Sequence, residues 1–216
     1  MARFAYYERL SKAQKATYRR SDAVPELAVP DPTPLRRYAA QLEDALLRDD
    51  RVAVEQAAVR LASHLTILFE VNPVSVRVEA VRPRQPGEEL HGLYEREEGR
   101  KPRIVVWMRT AARSNVVAFK TFLRTLAHEL CHHLDFELFG FDDTFHTQGF
   151  FRRENHLVKQ LLPRRGPLGR AAAGAVAAVP KTLPASVVPR EEDGPAREHP
   201  PAHQLELPWR EPGTKG

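Results

Sequence analysis

The chain contains a single cysteine, Cys131, among its 216 residues. One thiol cannot form a disulfide within the chain, and it cannot supply the several thiolates of a cysteine-rich zinc ribbon. Unreactive cysteines are most often small buried side chains. We therefore expect Cys131 to lie in the core and not to bind a metal.

Long apolar runs are also missing. No stretch of about 20 apolar residues occurs, which is the length that a membrane-spanning helix needs. The first 20 residues carry charges throughout and lack the apolar centre of a secretory signal peptide. These absences predict a cytoplasmic protein without a membrane partner.

Apolar periodicity is absent from the last quarter of the chain. Ten of the 18 prolines lie from Pro163 onward, in a segment rich in alanine, arginine and glutamate. Such a composition is typical of disordered chain. We therefore predict a basic N-terminal helix with a proline-rich connector (1–33), a folded domain (34–162) and a disordered tail (163–216).

Hydrophobic periodicity predicts a domain of the α+β class with a small antiparallel or mixed sheet. Ser114-Asn115 and Gly140 are a candidate N-cap and a candidate stop for the helix between them. The clearest strand, 103–109, is predicted to form the edge of the sheet along a cleft, with an interior strand that makes no substrate contact as the alternative. The predicted helices are 3–20, two helices within 35–70 that are broken near Asp49-Asp50, 116–140 and 148–162, and the predicted strands are 73–81, 90–96 and 103–109.

Two histidines four positions apart, His128 and His132, lie within the predicted helix 116–140. This spacing places both imidazoles on the same side of the helix, one turn apart. Glu129 completes the pattern H-E-x-x-H, in which two histidines bind zinc and the glutamate acts as general base. The apolar stripe of the helix lies on roughly the opposite side, so a core role does not explain the pair. The pattern predicts a zinc site, with a chance surface match as the alternative.

A catalytic zinc ion needs three protein ligands and one further position for water. His146 is the favoured third ligand, because it precedes the next helix and follows a glycine at which the chain can fold back. Asp142 or Asp143 is the aspartate alternative, and Glu154 is the glutamate alternative.

Two other residues of the same helix, Asp135 and His133, are weaker candidates for a role in the metal site. Asp135 lies on the histidine side, where it would either orient a ligand imidazole or be a solvated acid. His133 points away from that side and is expected on the helix surface or behind the ligands. The remaining histidines have no partner spacing and are read as structural or incidental: His64, His91, His156, His199 and His203.

The segments TLAHELCHHLD and HTQGFF resemble the SprT-like zinc metalloprotease domain, the family that includes Spartan. The resemblance covers about residues 60–162. It implies a zincin-like fold, His128, His132 and His146 as ligands of one catalytic Zn²⁺, and Glu129 as general base. It also implies an endopeptidase that acts on protein substrates with broad preference. The chain departs from the family in having Thr147 where glycine often follows the third histidine, and in lacking a cysteine ribbon.

Net charge is +5, and residues 1–20 alone carry six basic side chains against one acid, Glu8. A basic segment interleaved with aromatic residues is typical of DNA contact. The alternative is an amphipathic helix that packs on the domain and keeps its basic side in solvent. The six basic residues are Arg3, Arg9, Lys12, Lys15, Arg19 and Arg20.

The tail contains HQLELPWR, in which Gln204–Trp209 resembles the short peptides that dock on the bacterial sliding clamp. Such peptides bind from disordered tails by pressing apolar side chains into a groove. Together these features predict a zinc endopeptidase that acts on DNA-associated proteins. Two alternatives are a catalytically silent, zinc-stabilised adaptor and a nucleic-acid-binding protein that recruits partners through its tail.

Overall fold

Five α-helices and a three-stranded mixed sheet make up the fold in the computed structural model, which describes residues 4–83 and 91–163. All of these residues belong to one compact unit. The predicted α+β class is confirmed. A 3₁₀ helix, Ala5–Arg9, precedes the helices α1 (Lys12–Asp22), α2 (Thr33–Leu47), α3 (Arg51–Leu68), α4 (Phe119–Glu137) and α5 (Gln148–Leu161). The strands are β1 (Ser75–Val81), β2 (Gly92–Glu95) and β3 (Arg103–Arg109).

The sheet has the strand order β1-β3-β2, with β1 parallel and β2 antiparallel to β3. The prediction that 103–109 forms the edge strand is therefore wrong. Ile104 to Met108 are all buried, because β3 is covered on both faces, and a continuous apolar run is typical of such a strand. The shorter strand β2 lies at the edge and contacts α4.

The predicted break between α2 and α3 is confirmed. Asp49 adopts a left-handed backbone conformation with φ of 56°. Asp50 then caps α3, since its carboxylate accepts a hydrogen bond of 3.0 Å from the Ala53 N–H. α3 packs against β1, and α2 packs against α3 and α4, so the two helices form one wall of the core.

The predicted N-cap of α4 at Ser114-Asn115 is wrong, because the helix begins at Phe119 after Ala118. The intervening backbone bonds instead to the end of β3. The Thr110 N–H donates to the Asn115 carbonyl at 2.9 Å, and the Val117 N–H donates to the Met108 carbonyl at 2.8 Å. These bonds tie the start of α4 to the centre of the sheet.

The N-terminal segment contains two short helices where one helix over 3–20 was predicted. Ser11 separates them, because it forms a capping box with Gln14 at the start of α1. The segment packs on the domain through a small aromatic cluster. Its buried members are Tyr6, Tyr7, Leu10, Tyr18 and Phe145.

Three of the basic side chains of this segment make contacts within the chain. Lys15 pairs with Glu8 at 3.2 Å, Arg19 donates to the Tyr7 hydroxyl at 3.2 Å, and Arg20 donates to the Gly140 carbonyl at 3.4 Å. The bond of Arg20 to Gly140 agrees with the predicted packing of the segment on the domain, whereas the other two contacts lie within the segment. DNA contact by the same segment stays a prediction.

In residues 4–83 and 91–163, none of the helices combines the length and apolar character that crossing a bilayer demands. Arg3, His199, His203 and the clamp-like motif at Gln204–Trp209 lie outside these residues.

Candidate metal centre

The first two candidate ligands project from the middle of α4. His128 and His132 are one helical turn apart, and their Nε2 atoms lie 3.1 Å from each other. Leu126, Leu130 and Leu134 anchor the other side of the helix in the core. The pair is thus fixed by a helix that is itself held by the sheet.

The third candidate ligand comes from the loop between α4 and α5. Gly140, at φ of 57°, allows the chain to turn after α4, as predicted. The loop brings the Nε2 of His146 to 2.9 Å from that of His128 and to 3.1 Å from that of His132. Among the described residues, these three histidines form the group that could hold a metal ion. The predicted fold-back is confirmed.

Hydrogen bonds on the outer ring nitrogens fix the tautomers of the helical pair. The Nδ1 of His128 lies 3.0 Å from the Glu154 Oε2, a carboxylate oxygen that accepts. The Nδ1 of His132 lies 2.8 Å from the Thr144 Oγ1, whose own proton is donated to the Asp135 Oδ2 at 2.9 Å. Both Nδ1 atoms therefore carry the proton, and both Nε2 atoms present lone pairs to one another.

Lone pairs at 3.1 Å repel unless a cation lies between them. For a metal bound at about 2.0 Å by nitrogen in tetrahedral geometry, ligand nitrogens are separated by about 3.3 Å. The three Nε2 separations of 2.9, 3.1 and 3.1 Å are close to that spacing. Three imidazoles suit zinc and also copper, iron or nickel. The residues present therefore fit a metal ion held by three histidines, with one position left for another ligand.

The charge states of His132 and His146 agree with this interpretation. Burial and the neighbouring His128 lower the pKa of His132 well below its usual range and that of His146 to about 3. Burial is the largest influence on His128 and opposes its charged form, but the hydrogen bond to Glu154 and the charges of Glu129, Glu154 and Asp135 together outweigh burial and raise its pKa. His132 and His146 are thus neutral at pH 7, as metal ligands must be.

Glu129, the predicted general base, is buried beside β2 with 6% exposure. Burial raises the pKa of this carboxyl to about 7. Its Oε1 lies so close to Gly92 that a Cβ there would be 2.4 Å away. The absence of a side chain at position 92 gives Glu129 its room.

Two arginines complete the chains of hydrogen bonds behind the helical pair. Arg153, with 1% exposure, donates to the Asp135 Oδ1 at 2.7 Å. Arg124 donates to the Glu154 Oε1 at 2.5 Å, and its side chain is 38% exposed. Outer partners of this kind hold ligand imidazoles in orientation.

Several alternatives from the sequence are settled by these positions. Glu154 is not the third ligand, because it lies on the outer nitrogen of His128. Asp142 is exposed, and Asp143 accepts from the backbone N–H of the following residue, so neither belongs to the cluster. Asp135 is fully buried, which excludes the solvated alternative.

His133 is also fully buried, so its predicted place on the helix surface is wrong. Its Nε2 donates to the Asn72 carbonyl at 2.8 Å, and its Nδ1 lies 3.2 Å from the Tyr94 hydroxyl. Because Tyr94 belongs to β2, His133 links the edge strand to α4. Cys131 is buried as expected, and burial raises the pKa of its thiol well above the usual range.

Sequence reasoning missed Thr144, Arg153 and Gly92. Arg153 had a usable signal, because it follows Phe150 by three residues and precedes Leu157 by four on one face of α5. A cation on an apolar face requires a buried partner. Thr144 and Gly92 gave no comparable signal, since their roles depend on residues distant in sequence.

Comparisons with protein-family models, with curated proteins and with solved structures found no match.

Proposed function

We propose that the protein is a zinc-dependent endopeptidase of the zincin-like, SprT-like kind. The observation that carries the proposal is the convergence of the three Nε2 atoms within 3.1 Å of each other. A purely structural zinc site is closed by four protein ligands, whereas a catalytic one has three and a position for water. The resemblance in TLAHELCHHLD and HTQGFF supports the same reading.

Four residues of the chain would have distinct roles in peptide-bond hydrolysis. His128, His132 and His146 hold the ion, which when bound supplies Lewis acidity that activates water and polarises a peptide carbonyl. Glu129 takes a proton from the attacking water and passes it to the departing amine. Gly92 on β2, which has no side chain, makes room for the Glu129 carboxylate.

The strand β2 is the candidate support for the substrate, in place of β3. Within the described residues β2 pairs with β3 alone, and its Gly92 touches Glu129. An extended peptide that adds to this edge by main-chain hydrogen bonds would pass the three histidines. Recognition through the main chain accounts for the broad sequence preference that the resemblance implies.

Metal content and proteolysis of Glu129→Gln test the proposal. We expect one zinc per chain in wild type and variant, with casein or self-cleavage reduced at least about 100-fold in the variant, since general base catalysis contributes about that much or more. Glu137→Gln is the matched control, because Glu137 lies on the same helix and accepts from the Asn72 side chain at 2.7 Å instead of bonding to a candidate ligand. Zinc retained without cleavage in wild type would favour the adaptor alternative.

Action on DNA-associated proteins in the cytoplasm is a separate proposal, supported by the basic N-terminal segment and by the resemblance. We expect DNA affinity that falls with rising salt, because phosphate contacts release counterions. Affinity unchanged by salt would remove this part of the proposal. Strong DNA affinity that survives removal of zinc, in a chain without proteolysis, would favour the nucleic-acid-binding alternative.

A further inference from the structure

His146 differs from the other two candidate ligands because no helix fixes it. It lies in the short segment between Gly140 and the start of α5, immediately before the N-cap residue Thr147. The segment Phe145–Gly149 therefore has to be held in place by other parts of the chain. The contacts that do so come from the first 24 residues.

The carbonyl of His146 itself accepts a hydrogen bond from the N-terminal segment. The Tyr6 hydroxyl donates to it at 3.0 Å, across 140 positions of sequence. Tyr6 is 4% exposed, and because a carbonyl oxygen can only accept, its hydroxyl is the donor in this bond.

Both neighbours of His146 also contact the N-terminal segment. The ring of Phe145 packs against Tyr18, with centroids 6.1 Å apart. The hydroxyls of Thr147 and Ser21 lie 3.3 Å apart and are buried. Three consecutive residues, with the ligand in the middle, are thus attached to the same segment.

The start of α5 is attached at the same place. The Asp22 Oδ1 accepts from the Gly149 N–H at 2.8 Å. A Cβ at position 149 would lie 2.5 Å from the Ser21 carbonyl oxygen and 2.6 Å from that of Asp22. Because these atoms belong to the backbone, only glycine permits α1 and α5 to approach so closely.

Arg153 joins this attachment to the chain behind His132. Its guanidinium donates to the carbonyls of Ser21 and Val24, both at 2.6 Å, and to the Asp135 Oδ1 at 2.7 Å. The end of α1 is therefore bonded to the same buried cation that supports a ligand on α4. The two parts of the site share one anchor.

We propose that Tyr6 and Asp22 are positioning residues for the third metal ligand, and that the N-terminal segment is a structural part of the metal centre. This inference rests on the metal site of the proposed function but not on its peptidase activity. It assigns the segment a role that its basic charge did not suggest.

Zinc affinity of the full chain tests the inference, measured by competition with a chromophoric chelator. Loss of one net hydrogen bond behind a ligand predicts that Tyr6→Phe weakens Zn²⁺ binding by about 3- to 10-fold. Tyr7→Phe is the matched control, because Tyr7 has the same 4% exposure and its hydroxyl bonds to Arg19 within the segment. We expect it to change the affinity by less than about 2-fold.

Asp22 provides a second pair of variants. Asp22→Ala should weaken Zn²⁺ binding to a similar extent, and Asp22→Asn should restore most of it, since an amide oxygen can accept from Gly149. The visible spectrum of the Co²⁺-loaded protein should shift in Tyr6→Phe and Asp22→Ala but not in Tyr7→Phe, because it reports the ligand geometry.

Wild-type affinity and spectrum in Tyr6→Phe and Asp22→Ala would overturn the inference, as would equal losses in Tyr6→Phe and Tyr7→Phe. A wild-type chain that binds no Zn²⁺ overturns the inference and the metal centre together. A chain that binds Zn²⁺ with the expected order of affinities but cleaves no protein contradicts only the proposed function.

Discussion

The two histidines on α4 are supported in different ways, although they share one helix and one pattern. Behind His128, Glu154 accepts directly from the imidazole and is paired with the half-exposed Arg124. Behind His132, the Thr144 hydroxyl lies between the imidazole and Asp135. Asp135 is in turn paired with the fully buried Arg153.

The difference indicates that one set of hydrogen bonds tunes the metal affinity of the site, whereas the other stabilises the fold. A carboxylate in direct contact makes an imidazole a stronger ligand, so the chain behind His128 should act mainly on metal affinity. A buried ion pair that loses one partner leaves an uncompensated charge, so the chain behind His132 should act mainly on folding. Each prediction below tests one side of this comparison.

The largest expected effect is that of Arg153→Met on the free energy of unfolding. The substitution leaves the buried Asp135 without its cation and should cost about 3–5 kcal/mol. Arg124→Met is the matched control and should cost about 1 kcal/mol or less, because Arg124 is partly exposed and the Glu154 carboxylate keeps its hydrogen bond to His128. Urea unfolding of both variants measures the difference, and equal costs would contradict the proposed division.

Removal of the Glu154 carboxylate, which bonds directly to His128, should have the largest effect on metal affinity. We expect Glu154→Ala to weaken Zn²⁺ binding about 10- to 100-fold, since loss of an outer partner commonly has that effect. Glu154→Gln should lie between the alanine variant and wild type, because its amide oxygen still accepts from His128. Chelator competition measures the affinity. An alanine variant with wild-type affinity would show that the hydrogen bonds behind His128 do not tune the site.

The smallest effect is expected for the hydroxyl that intervenes behind His132. Thr144→Val keeps the shape of the side chain and removes the acceptor of the imidazole N–H, at a net cost of about 1 kcal/mol in metal binding. Thr144→Ser should restore the affinity. If the valine variant keeps wild-type affinity and the serine variant loses it, the contribution of Thr144 is its methyl group and not its hydroxyl.

Local signals predicted the parts of the site that lie on one helix. The spacing of His128 and His132 and the position of Glu129 follow from helical geometry alone. Gly140 marked the turn, and the start of α5 placed His146 nearby. These residues are close in sequence, so periodicity and stop signals were sufficient.

The rest depends on contacts between distant segments. The position of β3 at the centre of the sheet follows from pairing with two strands, and a run of apolar residues does not by itself distinguish a central strand from an edge strand. Tyr6 reaches the carbonyl of His146 across 140 residues. The misplaced start of α4 has the same origin, because residues 115–117 bond to β3 instead of extending the helix.

X-ray absorption at the zinc edge of the reconstituted wild-type chain tests whether His128, His132 and His146 bind one zinc ion. We expect one zinc per chain. The ion should have about four nitrogen or oxygen neighbours at about 2.0 Å, three of them imidazoles, and no sulfur. His146→Ala should lose one imidazole from that shell. Failure to bind zinc, or a shell that contains the Cys131 sulfur or is unchanged by His146→Ala, would contradict the account.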